Sequence, residues 1–295
     1  MQQVRQRLAD VVGGGAGSTG PAASHLVGSG GKGVRPMLTL LGARAVGGDG
    51  AAAIPFAVAA EMIHNATLLH DDVIDDGTVR RGRPTPRMIW GNTVSVLSGD
   101  LLFIEALRMA DSAGSPRTLS EMLQTVAQLI EGEVIQFDHR DKYDLTLQTY
   151  ERIVECKTAS LFRWCARAGG RAGGGSAAQV DVLGAFGRHV GRAFQVRDDV
   201  LDLVADPARL GKNLAADLDG GKLTLPLLYA LDADPTLAGV LEGGGADVLT
   251  RLPAALEAAD ALSRSRQWMQ HELDCAREAA RQLPAGEAAE MLIAV

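Results

Sequence analysis

Residues 51–76 read AAAIPFAVAAEMIHNATLLHDDVIDD, and residues 177–204 read AAQVDVLGAFGRHVGRAFQVRDDVLDLV. Both stretches are rich in Ala, Val and Leu and show no sustained strand alternation, so both are predicted helices. The first would span about 39 Å at 1.5 Å per residue, enough to cross a whole domain. Each carries an aspartate cluster of one form: Asp71-Asp72-Val73-Ile74-Asp75, and, 127 residues later, Asp198-Asp199-Val200-Leu201-Asp202. Aspartates at i and i+4 point the same way from a helix, and their repulsion costs about 0.2–0.5 kcal/mol per pair. Asp is also a poor helix former. A chain that breaks a local rule twice in the same way is serving a site. Carboxylates without Cys or paired His form a hard-oxygen set, which favours Mg²⁺ shared with phosphate over Zn²⁺.

The surrounding composition agrees with helices. Of 295 residues, 46% are hydrophobic but only 4% aromatic, which points away from sheet. The net charge of −7 argues against a nucleic-acid partner, which needs a broad basic surface. Cys156, Cys165 and Cys275 are too scattered for a disulfide framework or zinc spacing, and suggest reduced thiols in a cytoplasmic protein. There is no uninterrupted apolar run of about 18 residues, so no transmembrane segment is predicted. Met1 to Asp10 carries charges rather than a signal core.

Further helices are predicted over about 35–45, 92–112, 117–138, 146–169, 222–232, 236–243, 246–260 and 262–282. Glycines at 13–17, 47–48, 170–175 and 243–245 act as breaks. Residues 1–27 are expected as a flexible lead segment. Length alone allows two domains. The two acid clusters make sense only as one site, so a single all-α domain is expected.

Basic residues follow each cluster. After the first come Arg80, Arg81, Arg83 and Arg87, in a turn shaped by Gly82 and Pro84. After the second come Gly211-Lys212-Asn213 and Gly220-Gly221-Lys222. Upstream lies Gly31-Lys32-Gly33-Val34-Arg35-Pro36, which lacks Walker spacing. Guanidiniums that fork onto phosphate oxygens, and lysines as point charges between glycines, suit a diphosphate–Mg²⁺ complex. Singly, each is an ordinary solvated charge run. Their ordered combination is not.

The segments GGKGVRPML, IHNATLLHDDVIDDGTVRRGRPT, SGDLLF, CKTASLF, FQVRDDVLD and GKNLAADLDGGKLTLPLL occur in that order over about residues 28–232. Together they resemble the head-to-tail (trans) isoprenyl diphosphate synthases. The resemblance implies an all-α bundle around a deep central cavity, in a homodimer, with the two acid motifs facing each other across the mouth. It implies Mg²⁺ ligation by Asp71 and Asp75 on one side and by Asp198 and Asp202 on the other, with Asp72 and Asp199 in support. Arg80, Lys157, Lys212 and Lys222 match the binding site for the allylic diphosphate. Lys32, Arg35, His64 and Arg81 match that for isopentenyl diphosphate. Thr158 and Gln195 match polar residues near the reacting carbons, and Lys157 and Lys212 would assist the departing group. Alone, His64 and His70 would each be core histidines, and the motif changes that reading only for His64. Glu131 and Glu133 are assigned support or solvation.

One helical turn rises 5.4 Å, about one isoprene unit, so Asp71 marks the zero of a ruler down the long helix. Thr67 and Ala66, one turn below, are small; Ile63, Met62, Ala60 and Ala59 follow with no ring. An open tunnel implies a long-chain product of roughly six to ten units by resemblance, of the kind used for quinone side chains, with release by peripheral membrane contact. Phe103, Met109 and Phe137 are candidate floors. A short-chain farnesyl or geranylgeranyl synthase is the nearer alternative, and a class I terpene cyclase or a regulatory subunit of a heteromeric synthase the further ones. A cyclase's second motif normally runs to a Ser/Thr and Glu pattern, and regulatory subunits typically lack intact acid motifs. The sequence closes on Leu292-Ile293-Ala294-Val295 without the basic C-terminal tail common in the family, so closure of the site by such a tail is not expected.

Overall fold

The computed structural model describes residues 1–204, 216–243 and 246–294. The helices are α1 (Gln2–Gly13), α2 (Thr19–Gly28), α3 (Val34–Ala45), α4 (Ile54–Ile74), α5 (Pro86–Ser112), α6 (Pro116–Asp138), α7 (Leu147–Val154), α8 (Ser160–Ala172), α9 (Ala177–Val204), α10 (Ala216–Asp219), α11 (Leu225–Ala233), α12 (Leu237–Gly243), α13 (Ala246–Ala258), α14 (Ala261–Ala280) and α15 (Glu287–Ile293). A π-helical turn, Glu155–Ala159, joins α7 to α8. Among the described residues the only sheet is a hairpin of β1 (Val79–Arg80) and β2 (Arg83–Pro84). The class is all-α.

The described residues group into two compact units. One comprises Met1–Val126, Leu161–Gly187 and Arg277–Val295, and the other Ala127–Ser160 with Arg188–Ala276. In the first, α4 is the core helix: Phe56 to Ala60, Met62, Ile63, Ala66 and Leu69 are all buried, each large side chain contributing about 1.5–3 kcal/mol. With its preceding turn, α4 is long and apolar enough to cross a membrane by length and composition, but two-thirds of that window is buried inside the protein. It packs on α1, α2, α3 and α5, as a core helix does. Few aromatics are needed because helix contacts here are made by Ala and Gly. Phe56 and Trp164 are an exception, edge to face with centroids 6.4 Å apart, and Trp164 donates its ring N–H to the Thr118 carbonyl at 3.1 Å.

The second unit is built on Tyr150, Val154, Val196, Val200, Leu223, Leu225 and further leucines of α11 and α12. Thr146 caps α7 by accepting the Thr149 N–H at 3.1 Å, as expected of an N-cap threonine. Cys156 and Cys165 are buried, and burial pushes the Cys165 thiol up to about 12, which keeps it a packing residue.

The structure corrects several boundaries. Residues 1–27 are not a flexible lead: α1 and α2 bury Val4, Leu8, Val12, Ala22, Ala23 and Leu26. The glycine run hid them, because it falls between the two helices. The helix expected from residue 92 begins at Pro86 and breaks at Gly91 (φ 83°). Gly170 is not loop but lies inside α8, which runs three residues past the expected end at 169; there it meets Leu183, while Gly169 meets α3.

Glu121 of α6 accepts from Arg167 and Arg171 of α8, and Arg167 also reaches Asp181 at 2.7 Å. Burial pushes the Glu121 carboxyl up, but the hydrogen bonds from Arg171 and Arg167 overcome this and hold it at about 2. The folded value lies below the unfolded one. This group's contribution is therefore present above about pH 4.5 and lost as pH falls towards 2. Discounted for solvent screening, it is on the order of 1–2 kcal/mol. Glu121→Gln should melt lower than the wild type at pH 7, and the gap should close between pH 5 and pH 2. A gap independent of pH would show that the carboxylate charge is not the stabilising feature.

Candidate active site

The first acid cluster sits at the carbonyl end of α4. Asp75 is the C-cap, its N–H donating to the Asp71 carbonyl at 2.8 Å, and the Gly77 N–H donates to the Asp72 carbonyl at 2.9 Å. Asp76 takes φ 52°, the left-handed turn that ends the helix two residues sooner than predicted. A helix C-terminus carries partial negative charge, so carboxylates placed there are doubly unfavourable without a cation. The second cluster lies in α9, which is described as far as Val204. The sequence showed acids on helices; the structure puts the first set at the helix end that attracts cations.

The aspartates within each motif differ. Asp71 and Asp75 are partly exposed, whereas Asp72 is 2% exposed. The Asp72 Oδ1 atom accepts from both Nε and Nη2 of Arg80 at 2.9 Å, while its Oδ2 is buried with no hydrogen-bond partner. Burial raises the Asp72 pKa against the opposing pull of Arg80. Asp76 pairs with Arg87 at 2.8 Å.

Arg80 is placed by the hairpin. Arg80 pairs with Arg83 across it, and the two loop residues, Arg81 (φ 52°) and Gly82 (φ 73°), both have positive φ, as a type I′ turn requires. The Thr85 hydroxyl donates to the Gly77 carbonyl at 2.7 Å, and His25 Nε2 lies 2.9 Å from the Pro84 carbonyl. The turn folds Arg81 over the Gly31-Lys32-Gly33 loop. Its Nη1 is 3.4 Å from Ser29 Oγ, and a Cβ on Gly31 would sit 3.2 Å from its Nη2.

Arg35, Arg80 and Arg81 all act on His64: burial first, then these three charges, hold the imidazole pKa well below its ordinary value. Burial raises the Glu61 pKa, opposed by Arg35 and Arg81. Arg35 also lies over the Phe162 ring at 4.9 Å. The unit thus gathers Arg35, Arg80 and Arg81 around the His64 imidazole, with Lys32 exposed on the adjoining turn. His70, expected as a core histidine, is half-buried; its Nε2 lies 3.1 Å from the Val96 carbonyl and 3.4 Å from Asp100 Oδ1.

In the second unit, Asp198 is exposed and Asp199 is 2% exposed. Asp199 accepts from the Tyr150 hydroxyl (2.6 Å), the Gln195 amide (2.9 Å) and the Leu225 N–H (3.1 Å). Burial raises its pKa to about 6 in spite of these bonds. The Thr158 hydroxyl donates to Gln195 Oε1 at 2.7 Å. Asp202 Oδ2 accepts the Asp217 N–H at 3.1 Å. Lys157 and Thr158 lie in the π turn, a device that re-aims side chains within a helix. Gly132 of α6 allows it to approach, since a Cβ there would come within 2.8 Å of the Lys157 nitrogen. Lys157 Nζ pairs with Glu133 and donates to Gln136 at 2.6 Å, and Glu131 pairs with Arg152. Lys222 follows the Gly221 turn (φ 70°), whose carbonyl accepts the Asp141 N–H at 3.0 Å. Lys212 lies outside the described residues.

No group of three His, Cys, Asp or Glu among the described residues is already assembled as a metal cage. The donors nevertheless fit a hard cation whose shell a ligand completes: they are carboxylate oxygens, those of the first cluster at a helix carbonyl end beside the buried unpaired Asp72 Oδ2. Phosphate oxygens are ligands of that kind. Sequence reasoning did not single out Tyr150, Gln136 or His25. The only mark of Tyr150 in the sequence is an aromatic seven residues before Lys157, which by itself reads as packing.

The chain is similar to known proteins over most of its length. A family profile described as Polyprenyl synthetase matches residues 19–244. Octaprenyl diphosphate synthase of Escherichia coli (strain K12) is 40% identical over 266 residues, 88% of this chain and 82% of that protein. The crystal structure of a polyprenyl synthase from Caulobacter crescentus, complexed with calcium and isoprenyl diphosphate, superposes with a TM-score of 0.91 at 34% identity, covering 99% of this chain and 92% of that one. A decaprenyl diphosphate synthase from Rhodobacter capsulatus gives 0.92 at 33%, covering 99% and 93%. The chain belongs to the polyprenyl synthetase family and is a prenyltransferase. Use of a metal with diphosphate is general in that family.

Proposed function

We propose that this prenyltransferase condenses isopentenyl diphosphate with an allylic diphosphate, head to tail and trans, to give a linear long-chain polyprenyl diphosphate with Mg²⁺. The observation that carries this is two helix-borne acid clusters, each accompanied in its own unit by guanidinium or lysine groups. Asp71 and Asp75 of the first unit, and Asp198 and Asp202 of the second, would hold Mg²⁺ together with the allylic diphosphate. Bound Mg²⁺ supplies neutralisation of the charge that develops as diphosphate departs. Arg80, Lys157 and Lys222 add fixed positive charge to the same leaving group, as does Lys212. The C–O bond breaks with its electron pair going to diphosphate, and the double bond of isopentenyl diphosphate attacks the allylic carbon. A proton then leaves the new chain for the released diphosphate. Arg35, Arg81 and Lys32 hold the second diphosphate, and His64 stays neutral there, offering hydrogen bonds without charge.

The length reading is supported by the octaprenyl and decaprenyl enzymes among the similar proteins. On α4, Ala59, Ala60, Met62, Ile63 and Ala66 below Asp71 are ring-free but fully buried against neighbouring side chains, and Thr67 is the partly accessible small residue one turn below Asp71. Phe137 is exposed and offers no floor; Phe103 lies against the His70 ring at 5.7 Å. Ala66→Phe should release products shorter by several units on reversed-phase chromatography, since one turn of α4 corresponds to about one isoprene unit. An unchanged product length in a folded variant would remove α4 as the ruler.

The active form is proposed as a homodimer. Leu97 and Ile104 of α5, and Ile130, Val134 and Phe137 of α6, are large apolar side chains left exposed, which a partner subunit would cover. Sedimentation equilibrium should give twice the chain mass, and Ile130→Glu with Val134→Glu should give the single mass. A wild-type chain that sediments alone at micromolar concentration sinks the dimer.

A further inference from the structure

Asp199, although part of an acid motif, does not stand among its exposed members. It is buried and accepts three hydrogen bonds, one of them from Tyr150 of α7, 49 residues away. The chain of bonds has a single polarity: Thr158 O–H donates to Gln195 Oε1, the Gln195 amide N–H donates to Asp199 Oδ1, and Tyr150 O–H donates to Asp199 Oδ2. A carboxylate accepts only, so Asp199 fixes which way the Gln195 amide faces. That in turn commits the Thr158 proton to Gln195 and leaves the Thr158 oxygen lone pairs for whatever lies beside it. Tyr150 is itself buried in the apolar cluster with Val154, Val196 and Leu225, and Oδ2 has otherwise only the Leu225 N–H.

We propose that Tyr150 is a positioning residue for the prenyl transfer, acting through Asp199 and Gln195 to fix the hydroxyl of Thr158. The inference rests on the reading above, in which Thr158 and Gln195 line the reacting carbons. Tyr150 touches no substrate. It holds Asp199 by a charge-assisted bond, and so defines the rotamers of two residues on neighbouring turns. The π turn that carries Thr158 lies five residues beyond Tyr150 in the same helical run, so the phenol braces this run against α9.

The test is a double-mutant cycle on the full chain with Tyr150→Phe, Thr158→Val and the double variant, assayed with isopentenyl diphosphate, an allylic primer and Mg²⁺. Tyr150→Phe keeps the ring and removes the hydroxyl, so each variant is first checked for wild-type helicity and melting. The expected result is a kcat lowered about tenfold by Tyr150→Phe, KM for both diphosphates within about twofold, and no further loss when it is added to Thr158→Val. Multiplicative effects in the double variant would overturn the inference, as would an unchanged kcat in Tyr150→Phe. A wild type that does not turn over these substrates refutes the functional reading itself, which distinguishes the two failures.

Discussion

Asp75→Ala and Asp202→Ala should each lower kcat by about 10³-fold or more while leaving the melting temperature within about 2 °C of wild type. The two halves of this expectation come from the same geometry. Asp75 is a C-cap outside α4 and partly exposed, so its carboxylate contributes little to packing. Removing it relieves repulsion at a helix end that is already negative, so no large fall in melting temperature is expected. The loss falls on the step in which negative charge accumulates on the departing diphosphate. Raising Mg²⁺ should recover part of the activity, because the remaining carboxylates and the diphosphate still supply oxygen ligands. Asp72→Ala should behave differently. It unpairs Arg80, which both nitrogens tie to Asp72 Oδ1, and should lower stability and turnover together. Equal melting losses in the Asp72 and Asp75 variants would remove this division of labour.

Gly169→Val should be the most damaging single change to the fold. Its Cβ would collide with the Thr39 carbonyl oxygen and lie 2.9 Å from the carbonyl carbon, both backbone atoms of α3 that cannot swing aside. Gly173 faces α3 in the same way, with a Cβ 2.8 Å from the Ala43 Cα, and Gly42 returns the contact with 2.9 Å to the Ala166 carbonyl. Overpacking here must part α3 from α8. More than about 4 kcal/mol is expected, at the upper end for point changes, with melting lowered by roughly 10 °C or lost to insolubility. Gly28→Ala is the control. It is helical with nothing within 4 Å of the added carbon, so it should be neutral or stabilising by up to about 1 kcal/mol. Thermal melting of the pair decides the point; a Gly169→Val protein that melts like wild type would show that the α3–α8 approach is looser than described.

Much of this was legible in the sequence, and the limits have physical reasons. Helix and class followed from Ala- and Leu-rich runs with few rings, a property of composition. The acid clusters were legible because they break a local rule within five residues. The differing burial within each motif was not, since Asp71 and Asp72 are the same letter and only the direction in which each side chain leaves the helix separates them. Tyr150 was not legible either: its partner is 49 residues away, and a Tyr on an apolar helix face reads as packing. The hairpin was missed because only Gly82 signals a type I′ turn, and Arg81 at positive φ is a residue the pattern does not favour. Gly170 looked like loop, and the close approach at Gly169 was not read, because spacing alone cannot tell a glycine that ends a helix from one that lets two helices touch.

The central claim is that this chain joins isopentenyl units into a linear polyprenyl diphosphate. The most direct measurement is mass spectrometry of the dephosphorylated products formed by the purified wild type from isopentenyl diphosphate and an allylic primer, with Mg²⁺ or with chelator. The account predicts a ladder of linear prenols ending at roughly six to ten units, abolished by chelator. Cyclic hydrocarbons, or no extension of the primer in the presence of Mg²⁺, would contradict it.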